Sequence, residues 1–121
     1  MPRYAILTHD HPTLHWDLLL EDGAVLRAWR LLAEPQPGVV IAAEAIADHR
    51  LMYLDYEGPV SGDRGHVVRW DRGEFAGTVT GDELSLQWTG ARLNGDVTLR
   101  KVDGSRWQFA LAESVSARTG P

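Results

Sequence analysis

The residues whose types and spacing could do chemistry lie between positions 9 and 21. The stretch reads His9-Asp10-His11-Pro12-Thr13-Leu14-His15-Trp16-Asp17-Leu18-Leu19-Leu20-Glu21, in a chain with five histidines in all. From Leu14 onward it reads as a β-strand, whose side chains alternate between two faces. His15, Asp17 and Leu19 then point one way, and Trp16, Leu18 and Leu20 the other. The second face is an unbroken apolar stripe suited to a core. On the first face an imidazole and a carboxylate stand side by side, about 6–7 Å apart at the backbone. His9 precedes a turn at His11-Pro12-Thr13 and can fold back onto that face. Two neutral imidazoles and one carboxylate, with coordination positions to spare, suit manganese, iron or zinc. A His-x-Asp pair on the polar face of a strand is by itself more often solvated than ligating. Spacing alone therefore leaves two alternatives for His9, His15 and Asp17, a metal site and a solvated surface.

The rest of the chain supplies elements to hold such a site. Tyr4–Thr8 reads as a strand leading into it, and Asp22-Gly23 as a two-residue hairpin turn into Val25–Leu31. Ala33–Gly38, with two prolines, is a loop. Val39–Ala47 fits a strand better than a helix. A second stretch of interest, Asp48–Gly58, holds a fourth histidine and two tyrosines. A loop rich in glycine follows through Gly65. His66–Trp70 and Glu74–Thr80 read as strands around a turn at Asp71-Arg72-Gly73. Leu84–Trp88 alternates, Asn94-Gly95 signals a tight turn, and Val97–Arg100 pairs with Trp107–Leu111 around Asp103-Gly104. About ten short strands with turn signals every 8–12 residues predict an all-β, mainly antiparallel barrel or sandwich. The expected core spans residues 3–112 of one domain, 1–121, with 113–121 as a flexible tail.

Composition narrows the function. The 121 residues suit a single core. The 12 basic against 17 acidic residues and a formal charge of −5 argue against broad duplex-DNA binding, because it needs many Lys and Arg contacts to phosphate. An enzyme acting on one phosphate at a nucleic-acid end is not excluded. The absence of cysteine rules out disulfides, thiolate metal sites and a cysteine nucleophile. No apolar run approaches the roughly 20 residues of a membrane span, and the start lacks a signal-peptide pattern, so the expected compartment is the cytoplasm. Core packing accounts for most of the five tryptophans, with a stacking platform for bases as the alternative for any one of them. His11 reads as a solvated turn residue and His66 as structural.

With both histidine stretches in view, the chain resembles the 3′-phosphoesterase domain found at the N-terminus of bacterial DNA ligase D and also as stand-alone proteins. The family pattern is a histidine, five residues, then His-x-Asp-x-Arg, matched by His9 through Leu19. Its Asp-His-Pro-Leu-x-Tyr-like segment running into Glu-Gly is matched by Asp48-His49-Arg50-Leu51-Met52-Tyr53 and Glu57-Gly58. Trp70-Asp71-Arg72-Gly73 fits its Trp-Asp-x-Gly, and Gly95–Arg100 with Trp107-Gln108-Phe109 looks like its closing strands. The resemblance covers about residues 3–112. It implies a compact β-barrel with an open groove and a manganese-dependent activity. That activity removes a 3′-terminal ribonucleoside and then the 3′-phosphate from DNA before ligation. It also implies His9, His15 and Asp17 as metal ligands, His49 as the histidine that meets the phosphate, and Tyr53 as the tyrosine beside it. Implied partners are nucleic-acid 3′ ends and a separate DNA ligase or Ku-like protein, with the chain itself a monomer.

One departure is central. Leu19 stands where the resemblance implies a phosphate-holding arginine, and Thr13 and Ile41 stand where the family usually has arginines. A leucine offers no charge-assisted bonds to phosphate, and losing such a clamp costs on the order of 10²–10³ in rate. Arg50 and Arg64 are candidates to substitute. Three readings stay open: an active 3′-end phosphoesterase, the same scaffold with a small phosphoester or RNA-end substrate, and a non-catalytic module that binds metal or DNA ends.

Overall fold

The structure is a computed structural model, and residues 1–114 are described. Nine strands form one antiparallel sheet: β1 (Arg3–His9), β2 (His15–Asp22), β3 (Val25–Leu31), β4 (Ile41–Arg50), β5 (Gly58–Pro59), β6 (His66–Ala76), β7 (Glu83–Gly90), β8 (Asn94–Asp103) and β9 (Arg106–Glu113). A single 3₁₀ turn, Leu51–Leu54, interrupts them. The order is β1-β2-β3-β4-β9-β8-β7-β6, and β1 also pairs with β6, so eight strands close into a barrel. The two-residue β5 is attached to the start of β6. Among the described residues, no helix is long and apolar enough to cross a membrane.

Alternation sends one set of side chains into the barrel. Ile6, Leu18, Leu20, Trp29, Leu31, Leu84, Leu86, Leu99 and Phe109 belong to one buried cluster there, as expected of an eight-stranded barrel just wide enough to be filled by side chains. Aromatic rings lock it, with Tyr4 stacked on Trp88 at 4.0 Å between centroids and Trp29 edge-on to Trp107 at 5.4 Å. The opposite face of β1, β2 and β3 is also covered. Ala5, Leu7, Leu19, Leu26, Ala28, Leu54 and Val67 form a second buried cluster, roofed by the 3₁₀ turn and the loop after it. Burying two faces explains why β2 is apolar at Leu18, Leu19 and Leu20 alike.

Several local expectations shift. The β2–β3 turn is Gly23-Ala24, since Asp22 pairs with Val25; the glycine takes φ +61°, a conformation that suits it. Asp71-Arg72-Gly73 is no turn but the middle of β6. Asp71 is buried there as a hydrogen-bond hub, and a Cβ at Gly73 would collide with the Thr89 carbonyl of the neighbouring strand. Here glycine permits close backbone approach rather than reversal. Asn94-Gly95 likewise opens β8, and the reversal falls just before it. The chain stays ordered past the expected boundary at 112: Glu113 pairs with Gly95, and the Ser114 N–H donates to the Asn94 carbonyl at 3.0 Å. The remainder of the expected tail, 115–121, lies outside the described residues.

Candidate metal centre and pocket

His9 and His15 face each other across the β1–β2 hairpin as a register pair, and Asp17 sits two residues along β2. Their ligand atoms all lie within 4.8 Å of one another. His15 is 2% exposed and Asp17 4%, so these two are not solvated surface residues; His9 is partly exposed. Each imidazole is oriented from behind by a backbone carbonyl. His15 Nδ1 is 2.8 Å from the Thr13 carbonyl, and His9 Nε2 is 2.8 Å from the Arg64 carbonyl. A carbonyl only accepts, so each of those nitrogens carries the proton and donates it. The neutral rings therefore present lone pairs inward, His9 Nδ1 at 3.1 Å from Asp17 Oδ2 and His15 Nε2 at 3.0 Å from Asp17 Oδ1. The second contact is out of line for a hydrogen bond, which leaves both of its atoms buried and unpartnered.

Acceptor faces acceptor here, and only a proton or a cation between them makes the arrangement favourable. Metal-binding histidines are held in this way, with the far ring nitrogen on a carbonyl. The donor set thus fits a divalent transition ion. The proton is the competitor. Burial works against a charged His15, but the adjacent Asp17 carboxylate and the Thr13 carbonyl outweigh it and raise the pKa above the ordinary 6.5, while the charge of Arg30 acts in the opposite direction.

The second histidine stretch reaches the same place through a β-bulge. Ala28 pairs with Ile46, but Leu26 pairs with His49, so β4 carries one extra residue. Strict alternation would set Asp48 opposite Leu26; the bulge turns His49 onto the site face instead. His49 Nδ1 donates to the Ala47 carbonyl at 2.9 Å, leaving Nε2 for the pocket. Tyr53, on the 3₁₀ turn, meets the His49 ring edge-on at 5.7 Å. His9, Asp17, His49 and Tyr53 all line one open pocket of about 470 Å³.

The loop that closes this pocket is pinned to the hairpin. Asp10 Oδ1 accepts the His66 N–H at 2.7 Å, and this bond holds the Asp10 carboxyl below its usual range. Gly65, at φ +77°, presses so close to Asp10 and His11 that a Cβ would clash with both. His66 contributes its backbone N–H while its side chain is exposed, and His11 is exposed at the pocket rim.

The basic residues are arranged differently from the sequence-based expectation. Leu19 is fully buried in the outer cluster, and Ile41 is buried in the barrel cluster. Arg64 lines the pocket, but its guanidinium is tied back to Ser61. Arg50 lines it too and is exposed. Arg30, which motif reading passes over, is the cross-strand partner of Asp17 and also lines the pocket. The hairpin register is the signal that finds it. A turn at Asp22-Gly23 would pair Asp17 with Ala28; moving the turn by one residue moves every partner by two, onto Arg30.

Two comparisons with known proteins agree with this geometry. The multifunctional non-homologous end joining protein LigD of Pseudomonas aeruginosa is 31% identical over 133 aligned residues, covering 97% of this chain but 16% of that protein. The family described as "DNA Ligase D 3'-phosphoesterase domain" matches residues 7–101, a span that contains the ligand hairpin, the bulged strand with His49 and the Tyr53 turn. The match over most of the sequence, carried on a filled eight-stranded barrel with the His9, His15 and Asp17 cluster, places the chain in the DNA ligase D 3′-phosphoesterase domain family.

Proposed function

We propose that the chain is a manganese-dependent phosphoesterase that trims 3′ ends of DNA, removing a terminal phosphate or ribonucleotide in end-healing repair. The observation that carries this reading is the convergence of His9 Nδ1, His15 Nε2 and both Asp17 oxygens as acceptors, with His9 and Asp17 lining a pocket that also holds His49 and Tyr53 and His15 buried just behind them. A bound divalent ion supplies Lewis-acid polarisation of a phosphoester oxygen and a more acidic water.

The protein's own groups do the rest. The Thr13 and Arg64 carbonyls keep His15 and His9 in the tautomers that leave their lone pairs free. Asp17 contributes the negative charge that balances a cation. His49, its Nδ1–H fixed on the Ala47 carbonyl, would as an imidazolium meet the phosphate charge and give the second proton, on Nε2, to the leaving oxygen. Tyr53 positions His49 and offers its hydroxyl to the phosphate. Three arginines, Arg30, Arg50 and Arg64, line this pocket against two carboxylates, Asp17 and Asp48, so that with a divalent cation at Asp17 the local field would favour an anion. The similarity to an end-joining protein supports a DNA end as substrate; a separate ligase or Ku-like partner, action as a monomer and a cytoplasmic location are part of the same proposal.

The test is a labelled primer–template ending in a 3′-phosphate or 3′-ribonucleotide, incubated with and without manganese beside His15→Ala. Manganese-dependent trimming that His15→Ala abolishes is the expected result. The burial of Leu19 where the family's arginine is implied favours a second reading, a shifted substrate. In that case small phosphoesters turn over faster than DNA ends. Manganese binding with no turnover of either would leave a binding module.

A further inference from the structure

Arg30 is a cation in this pocket with the reach and freedom to hold phosphate. On β3 the residues Leu26, Ala28 and Arg30 share the outer face. The first two belong to the outer cluster, and Arg30 continues the row to the pocket. Its register partners are Asp17 on β2 and Glu44 on β4, yet it makes an ion pair with neither, and no hydrogen bond to its guanidinium is found among the described residues. Its Nε is buried without a partner. Of the other two arginines at the pocket, Arg64 is tied back to Ser61 and Arg50 is exposed on its surface, so Arg30 is the one of the three whose Nε is buried without a partner. A part-buried guanidinium left without an acceptor is costly. It becomes favourable when an anion enters, because its planar fork matches phosphate oxygens two at a time.

Register also shows what Arg30 replaces. Leu19 pairs with Ala28, so Arg30 stands on the adjacent strand and the same face, diagonal to Leu19. We propose that Arg30 is the phosphate-binding residue of this chain, holding the non-bridging oxygens of a terminal phosphate from β3 in place of the cation that Leu19 does not supply from β2. This rests on the phosphoesterase reading for its role in turnover, but not for its ability to bind phosphate.

The experiment separates the two. Inorganic phosphate is titrated into the metal-free chain, following arginine Nε–H resonances by NMR, for the wild type, Arg30→Ala, Arg30→Lys and the control Arg69→Ala. Arg69 also has a buried unpartnered Nε but is not among the pocket-lining residues. The expected result is a saturable shift of the Arg30 resonance, an affinity at least about tenfold weaker in Arg30→Ala, partial recovery in Arg30→Lys as a point charge, and no change in Arg69→Ala. Manganese affinity, measured separately, stays within a few-fold in all four. If 3′-phosphate trimming occurs, kcat/KM falls about 10²–10³-fold in Arg30→Ala. Wild-type phosphate binding that Arg30→Ala and Arg30→Lys leave intact overturns the proposal, as does no phosphate binding by the wild type. Arg30-dependent phosphate binding by a protein that trims no 3′ end supports Arg30 and overturns the 3′-end reading instead.

Discussion

Asp17 and Asp71 are buried to nearly the same degree, at 4% and 2% exposed, yet they solve opposite problems. Around Asp71 every neighbour donates. The Tyr4 hydroxyl gives a 2.7 Å bond to Oδ2, the Leu93 N–H a 3.2 Å bond to the same oxygen, and the Arg92 N–H a 2.8 Å bond to Oδ1. Burial and this carboxylate together push the Tyr4 phenol far up, so it remains a donor at any working pH. Around Asp17 the neighbours are imidazoles whose own protons are committed to carbonyls behind them. A buried carboxylate met by donors fastens the fold, here tying β1 and β6 to the β7–β8 turn. A buried carboxylate met by lone pairs is incomplete until a cation or proton arrives. Burial alone does not tell the two apart; the direction of the surrounding protons does.

The largest effect expected from this contrast is on folding. Asp71→Ala removes the acceptor of two buried donors, the Tyr4 hydroxyl and the Leu93 N–H, and of the part-buried Arg92 N–H, and costs on the order of 4 kcal/mol in urea unfolding, while manganese affinity in the folded fraction is unchanged. Next comes the response to metal. At manganese near 100 times Kd, the wild type gains about 2.7 kcal/mol by linkage, and Asp17→Asn gains none. Without metal at pH 8, Asp17→Asn melts at or above the wild-type temperature, because it removes an uncompensated buried charge. A metal-free loss as large as that of Asp71→Ala would erase the distinction between the two sites.

A somewhat smaller change is expected two residues along β2 from Asp17. Leu19→Ala opens a cavity under the pocket and costs about 2 kcal/mol with little change in manganese Kd. Leu19→Arg, the substitution that the family pattern suggests as a repair, instead forces a guanidinium among Ala5, Leu26, Ala28 and Leu54. It is expected to destabilise the chain at least as much as Leu19→Ala, and higher 3′-end activity in that variant would show that the 3₁₀ turn moves aside.

The smallest effect is the pH response. The His15 pKa is raised in the metal-free fold, so protonation stabilises it. That contribution is complete below the unfolded value near 6.5 and is lost as pH rises through the folded one. Manganese must displace this proton, so its affinity falls as pH drops through the folded value, by up to about tenfold per pH unit for each proton displaced. Isothermal titration at several pH values checks both the slope and its disappearance in His15→Ala.

The clustering of His9, His15 and Asp17 was legible because it is local. Alternation along β2 and one turn suffice to put His9, His15 and Asp17 on one face, and the all-β architecture follows from short alternating runs between turn residues. Glycine was the weaker guide. Gly73 and Gly95 carry turn-like sequences but serve close strand-to-strand approach, which depends on a neighbour that local sequence does not name. His49 entered through family resemblance, since nothing in its spacing sets it apart; the bulge that turns it inward is a mismatch between two strands.

What the sequence by itself determined is therefore the chemistry that one hairpin contains, two imidazoles and a carboxylate, because covalent spacing and side-chain alternation hold wherever the strand lies. Only the tertiary structure decided the chemistry that crosses between strands. It completed the burial that removes water from Asp17, brought the carbonyls of Thr13 and Arg64 behind the two rings, and set Arg30 opposite Asp17. Cross-strand neighbours are fixed by register, and a turn displaced by one residue changes every one of them.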